Sequence, residues 1–123
     1  ENSASLFLAY SPDKKVISGI IVIFYKTTAT YYYGGSDYEN RNLMAPYLLQ
    51  WTAICEAKKR GMKWYDFLGV APKDAPESHP WAGISSFKRK FGGEEVTYPP
   101  AFDIVFQPLL YRSLSLLKKL RLF

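Results

Sequence analysis

Three features of the sequence predict an α+β fold, a mixed and mostly antiparallel sheet with helices packed on its faces. Strand-like apolar runs separated by turn residues fill the first third, one long segment repeats its apolar residues at helical spacing, and strand-like and helical runs alternate after it. At 123 residues the chain is expected to form one domain or a piece of one, and its opening on Glu1 rather than Met suggests a fragment.

Residues 6–10 (LFLAY) read as a short strand, and Ser11-Pro12-Asp13-Lys14-Lys15 carries the turn chemistry of a hairpin. Residues 16–25 (VISGIIVIFY) are apolar at successive positions from Ile20 to Ile23, the pattern of a central strand covered on both faces. A turn at 26–28 leads into Tyr31, Tyr32 and Tyr33, whose aromatic side chains suit a half-buried pleated surface. Gly34 and Gly35 are expected to end that strand, because adjacent glycines admit positive φ and the close approach of another backbone or a ligand. An antiparallel meander results.

Met44, Tyr47, Leu48, Trp51, Ile54 and Cys55 then fall near i, i+3, i+4 and i+7, which predicts a helix with these residues as its buried stripe. Pro46 fits only in a first turn, so the helix should begin near Leu43 or Met44 with Asn42 as N-cap. Lys58, Lys59 and Arg60 complement the negative end of the helix dipole, and Gly61 takes the C′ position. Residues 63–68 (KWYDFL) are a strand reached by a crossover. Residues 69–83 (GVAPKDAPESHPWAG) are a loop, long enough to mark a functional flap or a disordered segment.

A short helix is predicted over 84–91, with Ile84, Phe87 and Phe91 on one side and Gly92-Gly93 closing it. A strand at 94–98, the Pro99-Pro100 interruption and an extended run at 101–106 follow. Gln107-Pro108 opens a last helix to about Leu122, with Leu109, Leu110, Ser113, Leu116, Leu117 and Leu120 facing in.

Aromatic residues make up 17% of the chain, enough to build either apolar pockets with polar tips or simply an aromatic-rich core. The net charge of +5 is uneven: residues 84–123 carry +4 of it. A basic C-terminal third favours polyanionic partners such as nucleic acid, pyrophosphate or an anionic membrane face. Cys55, the one cysteine, excludes an internal disulfide and a cysteine metal cluster, and its place on the apolar stripe reads as a buried thiol. No apolar run approaches a membrane span and no signal peptide is visible, so a cytoplasmic location is expected.

Catalytic signatures of the familiar kinds are scarce. His79 is the single histidine, GGSDYENRN matches neither the Walker nor the GxGxxG pattern, and no carboxylate or histidine spacing calls for a metal. Two candidate sites stand out. Gly34-Gly35-Ser36 before the long helix could present backbone N–H groups to an anion or a developing oxyanion, or could be a tight turn. In Phe87-Lys88-Arg89-Lys90-Phe91-Gly92-Gly93 the two phenylalanines share a face while the Lys88 ammonium points elsewhere, either toward a phosphate, carboxylate or ester oxygen or into solvent as part of a basic face.

The series Tyr31-Tyr32-Tyr33-Gly34-Gly35-Ser36, Tyr38, Arg41, Ala45, Gln50-Trp51, Ala57, Gly61, Tyr65-Asp66-Phe67, Gly69, Gly83, Phe87-Lys88 and Phe91-Gly92 resembles the C-terminal half of the Fem family. These are aminoacyltransferases that build peptidoglycan interpeptide bridges. The resemblance spans about residues 17–117, and the ordered series is far more specific than any one motif. It implies a GNAT-like acyltransferase fold, of which this chain is the later part of a second domain.

The implied reaction moves an amino acid from aminoacyl-tRNA to the stem-peptide side-chain amine of a precursor, lipid II or UDP-MurNAc-pentapeptide. It needs no cofactor and no protein nucleophile. Lys88 would stabilise charge on the ester oxygens with Phe87 shaping the pocket, and Arg89 and Lys90 would meet tRNA phosphates. Tyr31, Tyr33, Gly34, Gly35, Ser36 and Tyr38 are the implied substrate contacts, and a peripheral contact with the inner face of the plasma membrane is compatible with this. Two other readings stay open: an acetyltransferase using acyl-CoA, and a non-catalytic module that binds tRNA or a membrane surface.

Overall fold

A computed structural model describes residues 3–119, which divide into two compact units, one up to Gly92 and one from Gly93 on. The first holds β1 (Ala4–Tyr10), β2 (Val16–Tyr25), β3 (Thr28–Ser36), a 3-10 turn (Arg41–Leu43), α1 (Ala45–Lys59), β4 (Trp64–Asp66) and α2 (Ala82–Arg89). Its sheet runs β1-β2-β3-β4, antiparallel through β3 and parallel between β3 and β4. The meander and the crossover through α1 are thus the predicted ones, since two parallel neighbours need a connection of a dozen or more residues.

β2 is central in the sheet, but it is not covered on both faces as its apolar run suggested. Ile20, Val22 and Phe24 join Ala45, Leu49, Ala53 and Ala57 of α1 in the core, whereas Ile21 and Tyr25, pointing the other way, are exposed. A longer correction concerns Gly34 and Gly35. They do not end the strand. β3 continues through both to Ser36, with Gly34 opposite Ile20 and Gly35 opposite Gly19, and neither has positive φ.

α1 also turns a different face inward from the one predicted. Ala45, Leu49, Gln50, Ala53 and Ala57 are buried, while Met44, Leu48 and Trp51 are exposed, Trp51 by 61%. Small residues along the i, i+4 row let the helix axis come close to the sheet, and the large side chains flank the contact instead of filling it. Tyr47, Ile54 and Cys55 are only partly buried. Asn42 is not the N-cap: it sits inside the 3-10 turn, and Met44 caps α1 with left-handed backbone, φ 54°. That entry is set by Asp37, whose carboxylate accepts the Glu39 N–H at 3.1 Å and the Asn40 amide. Pro46 in the first turn removes one donor that would otherwise need a cap. At the other end Gly61 takes positive φ of 73° after Arg60, as expected.

The strand expected over 63–68 is shorter, ending at Asp66 because its Oδ1 captures the Leu68 N–H at 2.7 Å and Leu68 turns to φ 58°. α2 starts two residues earlier than predicted and ends at Arg89. Residues 94–106 form no strand; Pro99 and Pro100 remove two donors from any ladder there.

The second unit contains α3 (Pro108–Lys119), in which the Tyr111 hydroxyl donates to Asp103. Of the residues expected to face inward, Leu109 is 82% exposed, and Leu110, Ser113 and Leu116 are exposed as well, with Leu117 partly buried. Within its own unit this helix has no sheet to pack on. Leu120 and Leu122 lie outside the described residues.

Candidate active site

The first unit has an open cleft of about 300 Å³ above the sheet. Ser18 and Ile20 of β2 and Tyr31, Gly34, Gly35 and Ser36 of β3 form its floor, and Pro46 of α1 with Gly83, Ile84 and Phe87 of α2 form its walls. The volume is near the lower end of ligand pockets, roughly 300–1,000 Å³. Gly34 keeps room in the floor for the Tyr31 ring, since a Cβ there would strike it, whereas a Cβ at Gly35 would meet nothing within 4 Å. Ser18 Oγ ties the floor together by donating to the Gly35 carbonyl at 3.0 Å.

α2 is held over the cleft by the preceding loop. The Ser85 hydroxyl accepts the Ala71 N–H at 2.8 Å and donates to Trp81 O, the Arg89 guanidinium donates to Ala71 O at 2.8 Å, and Lys88 Nζ donates to Gly69 O at 2.7 Å. Residues 69–81 are therefore pinned along α2 by its polar side chains. Of the two directions the sequence left open for the Lys88 ammonium, a ligand oxygen or open solvent, the structure has it turned onto the Gly69 carbonyl. The ammonium lies 5.9 Å from the centroid of the Tyr31 ring, beside the cleft. Burial lowers its pKa below the ordinary lysine value, because desolvation penalises the charged form, and the Asp66 carboxylate pulls part of that back.

Aromatic rings make the wall behind Lys88. Tyr47, Phe87, Phe91, Phe67 and Tyr65 touch in sequence with centroid separations between 4.8 and 5.7 Å, in edge-on and stacked arrangements. Tyr31 meets this wall edge-on through Phe67 at 6.4 Å. Beneath it, Gln50 is fully buried: its Oε1 accepts the Tyr65 hydroxyl at 2.8 Å, and its Nε2 has no hydrogen-bond partner. An orphaned donor of this kind costs about 1–3 kcal/mol, which makes it unusual in a fold that had the choice of a methionine. Both phenols are pushed up by burial, Tyr65 also by the neighbouring Tyr31, so each stays a neutral hydroxyl.

Of the residues singled out from the sequence, Tyr31, Gly34, Gly35, Ser36 and Phe87 line this cleft, with Lys88 at its edge. Tyr33 and Tyr38 are 70% and 74% exposed and are not among its lining residues; Tyr38 stacks under the Arg41 guanidinium at 4.2 Å. Lys90 lies 5.5 Å over the Tyr47 ring, and Arg89 is engaged with the loop. The Gly34-Gly35 pair is no helix-terminal anion nest, since both residues sit in the ladder with the 3-10 turn still between them and α1. Sequence reasoning missed Gln50 and Tyr65, which meet through a 15-residue separation. The available signal was a glutamine spaced three and seven residues before Ala53 and Ala57, on the small-residue face of the helix. Among the described residues, no group of three or more His, Cys, Asp or Glu could hold a metal, and no helix is long and apolar enough to cross a membrane.

Comparison with known proteins agrees with this architecture. In fold, the chain resembles a Pyrococcus furiosus protein assigned as an acetyl transferase (TM-score 0.63, 18% identity, 85% of this chain and 68% of that one). It also resembles an aminoglycoside 6′-N-acetyltransferase of Acinetobacter baumannii (TM-score 0.51, 15% identity, 87% and 74%). The GNAT-like α+β fold is thereby established. The crystal structure of FemX superposes on 61% of this chain and 18% of its own, with TM-score 0.55 and 28% identity. In sequence, the chain is 28% identical over 111 residues to the lipid II:glycine glycyltransferase of Staphylococcus haemolyticus, covering 90% of this chain and 26% of that protein. It is 30% identical over 91 residues to the aminoacyltransferase FemA of Staphylococcus aureus, covering 74% and 21%. The chain thus spans about a quarter of the length of these curated relatives. Residues 2–119 match the family model described as the FemAB family, and the chain belongs to that family.

Proposed function

We propose that the full-length protein carrying this chain is an aminoacyltransferase of peptidoglycan bridge synthesis, taking an amino acid from aminoacyl-tRNA and placing it on the stem-peptide side-chain amine of a lipid II or UDP-linked precursor. The observation that carries this reading is the Lys88 ammonium at the edge of a cleft in a member of the FemAB family. The acceptor amine attacks the ester carbonyl, an N–C bond forms, the ester C–O bond breaks, and a proton passes from the amine to the departing ribose hydroxyl. Negative charge develops on the ester oxygens between these events. An ammonium has three N–H donors, and Lys88 uses one on Gly69, leaving two for that charge. Phe87 shapes the wall beside it, Lys90 offers a phosphate contact, and the site lies on the cytoplasmic side, at or near the membrane face where a lipid-linked acceptor would be presented.

The test is donor choice. The full-length protein should transfer label from charged tRNA to lipid II or to UDP-MurNAc-pentapeptide and should give no calorimetric signal with acetyl-CoA. Acetyl-CoA binding would favour an acetyltransferase, and salt-sensitive tRNA binding without transfer would favour a non-catalytic module.

The lowered pKa of Lys88 gives a second expectation. Because the charged form is the active one, transfer should fall as pH rises through a value below the 10.5 of an exposed lysine. With uncatalysed ester hydrolysis subtracted, the alkaline limb of kcat/KM should be present in the native protein and move upward out of range in Lys88→Arg. A limb that stays in place in Lys88→Arg would assign it to another group.

A further inference from the structure

The Lys88 ammonium is anchored by a carbonyl, and the backbone leading to that carbonyl has a conformation its side chain does not favour. β4 stops at Asp66, which pairs with Thr30 next to Tyr31. Two residues later Leu68 takes left-handed backbone, φ 58°. Of the four non-glycine residues with positive φ among the described residues, Lys14 and Lys26 lie between the strands of hairpins and Met44 caps α1, whereas Leu68 has neither setting. A leucine rarely adopts this conformation unless its surroundings hold it there. Here the holder is the Asp66 carboxylate, whose Oδ1 accepts the Leu68 N–H at 2.7 Å, the side-chain arrangement that mimics a backbone turn. Phe67, between the two, is set in the aromatic wall against Tyr65 at 5.0 Å and Phe91 at 5.3 Å. The residue after Leu68 is Gly69, and its carbonyl receives Lys88 Nζ at 2.7 Å. The held N–H and the anchoring carbonyl are thus on adjacent residues.

We propose that Asp66 is a positioning residue for Lys88: by holding the Leu68 N–H it fixes the turn that presents the Gly69 carbonyl, and through that carbonyl it sets where the ammonium stands beside the cleft. An ammonium on a four-carbon stem has many rotamers and three equivalent donors. Fixing one donor on a rigid carbonyl limits the directions open to the other two, and a donor already in place needs no reorganisation when negative charge develops. Without the carboxylate, Leu68 would return to ordinary negative φ, the Gly69 carbonyl would turn, and Lys88 would lose its anchor. The carboxylate also acts on the charge: burial lowers the Lys88 pKa, and Asp66 opposes that lowering. The kinetic role of Asp66 rests on the transferase reading; the contacts that join it to Lys88 do not.

The experiment uses the full-length protein with Asp66→Asn, which keeps the acceptor oxygen without the charge, and Asp66→Glu, which keeps the charge but moves the oxygen a methylene away. Asp66→Ala, Lys88→Met and the double variant of these two complete the set. Asp66→Ala and Asp66→Glu should each lower kcat about thirtyfold with KM changed by less than about twofold, within the range for a misplaced group. Asp66→Asn should lose less than about threefold, because asparagine forms the same turn. The double variant should be no slower than Lys88→Met. Lysine side chains isotope-labelled at Cε give a readout independent of activity, with the Lys88 resonance identified by its absence from Lys88→Met. At neutral pH that resonance should stay near its native position in Asp66→Asn and move in Asp66→Ala and Asp66→Glu. Native-like kcat in Asp66→Ala, a loss in Asp66→Asn as large as in Asp66→Glu, multiplying losses in the double variant, or an unmoved Lys88 resonance in Asp66→Ala would each overturn the proposal. If Asp66→Ala fails to fold, the contrast between Asp66→Asn and Asp66→Glu decides by the same rates and the same resonance. Should the native protein transfer nothing, the transferase reading fails, while the Lys88 resonance still decides whether Asp66 sets its place.

Discussion

Lys88→Met in the full-length protein should lower amino-acid transfer by a factor on the order of 10²–10³, the usual consequence of removing one donor to a developing oxyanion. Methionine keeps the length and apolar character of the stem, so packing against α2 and the Tyr31 ring persists, and only the ammonium is lost. The Gly69 carbonyl that loses its partner is on an exposed residue and can take water instead. Its contribution to stability is correspondingly small, about 1 kcal/mol or less once solvent screening is counted. The discriminating pattern is a large fall in kcat/KM with an unchanged circular-dichroism spectrum and a melting temperature within a few degrees. Near-native turnover would remove Lys88 from the chemistry; a collapsed melting curve would make it a clamp on the 69–81 loop.

What was legible in the sequence follows the range of the interaction involved. The apolar run of residues 16–25, the turn residues before it and Gly61 after Arg60 are local signals, and the meander, the helix and its end are as expected. The inward face of α1 is not, because apolar size is a poor sign of burial where the sheet selects small residues that allow close approach. The same error, a leucine stripe read as a core, recurs in α3. Site residues followed a similar rule. Phe87 and Lys88 are legible as a pair, but the ammonium's direction depends on a carbonyl 19 residues away, and Gln50 depends on the Tyr65 phenol of β4. Such placements come from the sheet bringing distant strands together, and no window of sequence contains them.

The two glycines of the cleft floor look alike in the sequence and should behave differently. A Cβ on Gly34 would fall inside van der Waals contact of the Tyr31 hydroxyl oxygen and at 2.9 Å and 3.0 Å from its Cε2 and Cζ, whereas a Cβ on Gly35 would meet nothing within 4 Å. Neither residue has positive φ, so backbone strain does not enter and the difference is one of space alone. The Tyr31 ring cannot swing away without cost, being half-buried with Phe67 on its edge and the Lys88 ammonium over its face. Gly34→Ala should therefore destabilise the protein by about 1–3 kcal/mol, the range for overpacking. It should also lower transfer on the order of 10²-fold, since the displaced ring disturbs both Lys88 and the hydroxyl. Gly35→Ala should be close to neutral in both. The decisive measurement is a double-mutant cycle in chemical denaturation: in a Tyr31→Ala background the destabilisation by Gly34→Ala should largely vanish, because the atoms it strikes are gone. Additive effects would mean that Gly34 is required for something other than room for Tyr31, and the cleft floor would then owe its shape to the strand and not to that ring.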